Sequence, residues 1–241
     1  MGGQILLIFY YFLIMVPPVL AVFLFLKIDK FPEPVDKIIV TILLAYAGTS
    51  IMGTIKYDVL MIPEEWTSNN FFNAFILVAF PEELVKFLVL FFYCTKLPEF
   101  NEQMDGVIYG GLAGLGFAIN EAFQYLGNEI YYYEGTFQEI MYTIFSRGFF
   151  AVPGHIFDGV IMGAIIAICI FKPVNKILFI ALALIIPTIT HGTWDYILFA
   201  EYDIMFFALL YGLLFALVTG IFVYFRGLQR TKFTESERKF N

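Results

Sequence analysis

Residues 75–94 read FILVAFPEELVKFLVLFFYC, twenty residues that as a helix would cross a hydrocarbon core of about 30 Å, yet carry Glu82, Glu83 and Lys86 in their middle. A charge at the centre of a membrane helix costs at least about 2.5 kcal/mol on insertion scales, so each such residue marks function by default. At about 100° per residue Lys86 projects between the directions of the two acids and can neutralise one of them. Two adjacent carboxylates with a single cation leave one acid competing for a proton, which suits acid–base chemistry. An ion-paired strut between helices is the structural alternative.

The rest of the chain is of the same kind. Its 241 residues are 60% hydrophobic and 15% charged, with a mean hydropathy of +0.80 and a net charge of -7. Soluble domains carry far more charge, so the chain reads as an all-α, polytopic membrane protein. Nucleic-acid binders, secreted disulfide scaffolds and disordered regulators are excluded by so much Phe, Leu and Ile with so little charge. Cys94 and Cys169 both lie in apolar runs and read as small hydrophobes.

Seven runs are long enough to span: 5–26, 38–55, 71–94, 105–126, 153–171, 177–199 and 204–225. The stretch 137–152, interrupted by Gln138, Glu139 and Arg147, would make an eighth if it crossed; alternation of the loops favours a helix lying along the outer interface. The N-terminal stretch lacks the basic region and cleavage site of a secretory signal and is expected to be retained as the first span. Eleven of the fourteen basic residues follow spans 1, 3, 5 and 7, against Lys56 in the opposite loops, which puts the N-terminus outside and the tail in the cytoplasm. The expected organisation is one transmembrane domain over 1–225, with a catalytic core at 71–200, and a short tail at 226–241. Trp66 in loop 56–70, beside Glu64 and Glu65, and Tyr131, Tyr132 and Tyr133 in loop 127–136 read as headgroup anchors.

Further polar residues sit at membrane depth. Gly106, Gly110 and Gly114 recur every four residues and form a stripe that admits a neighbouring helix, and Glu121 lies on the same face. His155 and Asp158 open span 5; in span 6, His191 and Asp195 are four apart, so the carboxylate can fix the imidazole's tautomer. Pro81, Pro153 and Pro187 each shortly precede an ionisable residue and are expected to break the backbone ladder, which membranes tolerate only beside protein or a wet cavity. Counted at about 1.5 Å per residue from the outer span ends, His155, Glu121, His191 and Glu82 all fall in the outer half of the bilayer or near its midplane. That is the layer a wet intramembrane site requires.

These residues carry a resemblance. Glu82-Glu83-x-x-Lys86, the Asp105-Gly106 opening with Gly-Phe-Ala-x-x-Glu ending at Glu121, the segment from Arg147 to Pro153-x-His155, and His191-x-x-x-Asp195 resemble, in order, the motifs of the PrsW family of intramembrane proteases, relatives of the glutamate-dependent CAAX prenyl endopeptidases. The resemblance covers about residues 75 to 200. It implies a membrane endopeptidase acting near the outer face, in the best-known case making the first, site-1-type cut in an anti-sigma factor. One position departs: where the family usually has asparagine after the span 4 glutamate, this chain has Ala122, so Asn120 must supply that amide or it is lost.

The expected activity is therefore peptide hydrolysis by water that a glutamate activates, on a single-span membrane protein or peptide in the lipid bilayer of the cell membrane, with no nucleic acid involved. The site residues are Glu82, Glu83, Lys86, Glu121, His155, His191 and Asp195, with Glu82 or Glu83 as base and the histidines as oxyanion donors or metal ligands. A divalent metal such as zinc would find suitable ligands in His155, His191 and Glu121. The competing readings are a proton- or cation-coupled transporter, which buried acids and broken helices also suit, and a non-catalytic scaffold binding client helices through the glycine stripe.

Overall fold

The computed structural model describes residues 2–55 and 62–239; Lys56 lies outside the described residues, as do the side chains of Glu64 and of 230–241. Among the described residues the backbone is helical throughout its ordered elements, with no strand. The helices are α1 (Gly2–Ile28), α2 (Val35–Thr54), the short turns α3 (Glu64–Thr67) and α4 (Asn70–Phe72), α5 (Phe80–Leu88), α6 (Gln103–Gly127), α7 (Phe137–Ser146), α8 (Val152–Phe171), α9 (Lys176–Phe199) and α10 (Ile204–Lys239).

At the centre stands α6, buried without interruption from Met104 to Asn120. It packs most extensively against α8, because both helices present glycines to each other. A Cβ on Gly110 would run into the carbonyl oxygen of Gly159, and one on Gly163 into that of Gly106. Gly114 lies against the carbonyl of His155, so the stripe brings the two backbones together at the level of that histidine. The next face of α6 receives α2, where Gly116 meets the carbonyl of Ile42 and the side chain of Ala45. Helix α9 packs on α8 and on the segment 73–79. Helices α1 and α10 lie outermost and expose large apolar side chains, among them Phe12, Phe23, Leu213 and Phe215, as lipid-facing helices do.

Among the described residues, five helical runs are long and apolar enough to cross a membrane: Gln4–Ile28, Val35–Thr54, Phe137–Phe171, Lys176–Phe199 and Ile204–Gln229. Spans 71–94 and 105–126 do not qualify by that measure. The first is divided into short pieces around its three charges, and the second is rich in glycine and polar residues because it faces protein on nearly every side.

Three expectations need correction. The stretch 137–152 is not a separate element; α7 continues through a wide π-helical turn, Arg147–Ala151, into α8. His155 consequently sits well inside a long helical run instead of at its start. Pro187 does not break its helix, since α9 is uninterrupted around it. Pro81 and Pro153 do follow π-helical turns, Asn73–Ala79 and Arg147–Ala151, where the wider backbone accommodates a residue without an N–H. Apart from these corrections, the backbone of the tail continues α10 as helix to Lys239, a conformation that the sequence left open.

Candidate active site

Four elements deliver the polar side chains to one place. Glu82, Glu83 and Lys86 come from α5, Glu121 from α6, His155 and Asp158 from α8, and Thr190, His191 and Asp195 from α9. The π-helical turns ahead of α5 and α8 set the rotation at which these residues enter, and the glycine contact between α6 and α8 sets the distance from Glu121 to His155. All seven residues expected from the sequence are brought together.

They form a continuous chain of contacts. Lys86 Nζ donates to Glu83 Oε1 at 2.6 Å and to His155 Nδ1 at 3.0 Å, with Lys86 and Glu83 wholly inaccessible to solvent. An ammonium has only protons to offer, so His155 Nδ1 is the acceptor and its proton sits on Nε2. That Nε2 donates to Glu121 Oε2 at 2.8 Å. The same oxygen is 3.2 Å from Arg147 Nη1, whose guanidinium lies over the Tyr125 ring at 3.2 Å. On the other side of Lys86, Glu83 Oε1 also accepts from His191 Nδ1 at 2.8 Å. His191 Nε2 then faces Asp195 Oδ2 at 3.3 Å and Glu82 Oε2 at 3.7 Å, too far or too poorly directed for hydrogen bonds. The two imidazoles stand edge to face, 5.1 Å apart, and Lys86 sits 4.8 Å above the Phe117 ring.

The two adjacent glutamates are thus in different situations. Glu83 is committed to Lys86 and His191 and is sealed from solvent, whereas Glu82 reaches a cavity of about 760 Å³ that is also lined by Glu121, Arg147, His155, Asp158, His191 and Asp195. Glu82 Oε2, Glu83 Oε2 and Asp195 Oδ2 are all buried and without a hydrogen-bond partner, but of the three residues only Glu82 and Asp195 line the cavity. A buried carboxylate oxygen left this way costs free energy, so the two on the cavity wall are poised to accept from water, substrate or a cation.

The donor types fit a metal. Glu82, His155 and His191 bring one ligand atom each to within 4.8 Å of one another, as do Glu83, Asp158 and His191. Two imidazoles and a carboxylate are a zinc donor set, and a carboxylate holding His191 Nδ1 leaves Nε2 as the ligand atom. Among the described residues, the expected set of His155, His191 and Glu121 is not such a group; Glu82 takes the third place, while Glu121 accepts from His155 Nε2.

Sequence reasoning left three participants out of the site. Asp158 lines the cavity and accepts from Thr190 Oγ1 at 2.5 Å; it lies three residues after His155, a helical spacing that the sequence displayed. Arg147 enters across the bundle from the π-helical turn, and nothing in its local sequence announces Glu121 as its partner. The amide question resolves differently from expectation. Ala122 packs with Tyr10, Ile14 and Ile140 away from the cavity, and Asn120 donates to the Tyr46 carbonyl and to Ser50 on α2. The amide that lines the cavity is that of Gln124, which also donates to Asn120 Oδ1.

Comparison with known proteins gives a consistent result. The family model described as "PrsW family intramembrane metalloprotease" matches residues 33–225. The chain is 26% identical over 212 residues to Protease PrsW of Bacillus subtilis strain 168, covering 87% of this chain and 88% of that protein. It is 30% identical over 187 residues to Protease PrsW of Oceanobacillus iheyensis, covering 76% and 80%. The Protease PrsW of Halalkalibacterium halodurans is 30% identical over 156 residues, 62% of this chain and 68% of the relative. No solved structure matches the chain.

Proposed function

Because the chain belongs to the PrsW family of intramembrane metalloproteases, a family of multi-pass membrane peptidases, we propose that it cleaves a single-span membrane protein inside the cavity above Glu82, His155 and His191, with Glu82 as the general base. The observation that carries this assignment is the contrast between the adjacent glutamates. Glu82 has an unpartnered oxygen facing the cavity beside His191 Nε2, while Glu83 is sealed beneath with Lys86.

In this reading Glu82 takes a proton from a water held between it and His191 as the water oxygen attacks the scissile carbonyl carbon. The negative charge that develops on the carbonyl oxygen meets the Arg147 guanidinium on the cavity wall, while His191 Nε2 accepts from the attacking water. As the C–N bond breaks, Glu82 returns its proton to the departing amine, leaving a new carboxyl and a new amino terminus. Glu83 and Lys86 take no part in the proton transfer; they hold His191 and His155 in the required tautomers, and Asp195 flanks His191 Nε2. His155 and His191 would hold a zinc ion beside the Glu82 carboxylate, and such an ion would lower the pKa of its water to about 7.

The proposal extends to topology and substrate. Seven crossings, with the N-terminus outside and the C-terminal tail in the cytoplasm, make 1–225 one transmembrane domain with its catalytic core at 71–200 and open the cavity toward the outer face, supported by the eleven-to-one bias of basic residues. A cavity of this size admits a few unwound residues of a substrate chain, and a site-1-type cut in an anti-sigma factor is the substrate class that fits. The test is cleavage of a fluorogenic single-span substrate in liposomes. Glu82→Gln should lower turnover at least about 100-fold with little change in thermal stability, and a chelator should abolish activity that zinc restores. Full cleavage by Glu82→Gln would overturn the assignment of the base.

A further inference from the structure

A second group of buried acids lies far from the cavity, where α1, α6 and α10 meet. Asp29 stands just beyond the end of α1, Glu33 in the loop to α2, and Asp105 in the first turn of α6; all three are at least nine-tenths buried, and each brings a carboxylate oxygen to within 4.8 Å of the others. Asp105 and Glu121 are separated by sixteen residues of one helix, about 24 Å, so this cluster is independent of the active site.

Each carboxylate is anchored through one oxygen. Asp29 Oδ1 accepts from the Phe31 amide at 3.0 Å and from Gln229 Nε2 at 2.7 Å; Glu33 Oε2 accepts from the Tyr109 hydroxyl at 2.6 Å; Asp105 Oδ2 accepts from the amides of Asn101 and Glu102, each at 2.6 Å. Gln229 reaches in from α10 and donates also to Glu102 at 2.5 Å. Capping of α6 accounts for Asp105 and Glu102. It does not account for Asp29 or Glu33, nor for Asp29 Oδ2, a buried oxygen of the cluster that has no hydrogen-bond partner although Gln229 Nε2 is aimed at the same carboxylate. Burial pushes the Glu33 carboxyl above its ordinary value, only partly offset by the hydrogen bond from Tyr109.

We propose that Asp29, Glu33 and Asp105 form a binding site for a calcium ion at the end of α6, with Gln229 of α10 holding the Asp29 carboxylate in place. All the donors are oxygens, so the ligand is a hard cation. Several protein oxygens converge in a nearly dry pocket. That favours calcium, which accepts many protein ligands in flexible geometry, over magnesium, which retains most of its water. The ion would join helices that otherwise meet the core along lipid-facing faces, and would hold the remote end of the helix that carries Glu121.

The experiment uses the full chain in detergent after treatment with EGTA. Terbium should bind and give luminescence when tyrosine is excited, because Tyr109 touches Glu33, and calcium should displace it. Calcium should raise the thermal unfolding temperature by about 5 °C or more at saturation. Asp29→Asn/Glu33→Gln should abolish both responses yet unfold in EGTA at or above the wild-type temperature, since it removes unbalanced charge. Should that variant fold poorly, Tyr109→Phe serves: it should reduce the sensitised emission while the calcium shift persists. Absence of any calcium shift in the wild type, an unchanged shift in the double variant, or equal displacement of terbium by magnesium would each overturn the proposal.

Discussion

At the residue scale, the Glu83–Lys86 pair is where charge has been taken furthest from water, both side chains being fully buried. Removing one member of such a pair leaves the other uncompensated, at a cost of about 3–5 kcal/mol, whereas replacing both by neutral groups is often nearly neutral. Lys86→Met alone should therefore unfold at much lower denaturant than wild type, and Glu83→Gln/Lys86→Met should recover most of that loss. Activity should not recover with it. Lys86 is also the donor that fixes the tautomer of His155, and Glu83 is the acceptor that orients His191, so the double variant would keep its fold and lose its site. Parallel unfolding and cleavage measurements on the three proteins separate the two roles; a double variant that cleaves at the wild-type rate would show that the pair is a strut alone.

At the scale of elements, the contact between α6 and α8 depends on glycine at specific positions. A methyl group on Gly110 or Gly163 would meet a backbone carbonyl, which cannot move out of the way as a flexible side chain can. Gly110→Ala or Gly163→Ala should thus force the helices apart, cost about 1–3 kcal/mol, and reduce cleavage by lengthening the Glu121–His155 hydrogen bond. Gly220 and Gly227 on α10 are the control, with nothing within 4 Å of a new Cβ. Alanine there should leave activity intact and stabilise the helix by up to about 1 kcal/mol. Equal losses at all four positions would mean that the packing of α6 on α8 has no special part in the site.

On the scale of the whole molecule, the proposed orientation would open the cavity outward, and the tail of α10 reports it. A tag after residue 241 should be protected from protease added to spheroplasts, while a tag inserted at the exposed tyrosines 131–133 should be cut. Cleavage of the C-terminal tag from outside would reverse the topology and place the cavity toward the cytoplasm. Membrane class, helical fold, glycine stripe and the choice of Glu82, Glu83, Lys86, Glu121, His155, His191 and Asp195 were all legible in the chain, because each is local: apolar length, a fourfold spacing, or a charge where lipid forbids one. The tertiary structure decided what depends on two helices at once. It separated Glu82, which faces the cavity, from Glu83, which does not; neighbours on a helix point about 100° apart, and only packing determines which direction is wet. It turned Ala122 and Asn120 away and brought Gln124 in, joined 137–152 to α8 through a turn whose wide backbone no local pattern displays, and paired Arg147 with Glu121 across the bundle. It also gathered Asp29, Glu33, Asp105 and Gln229 from three separate stretches of the chain, because their meeting depends on how α1, α6 and α10 pack.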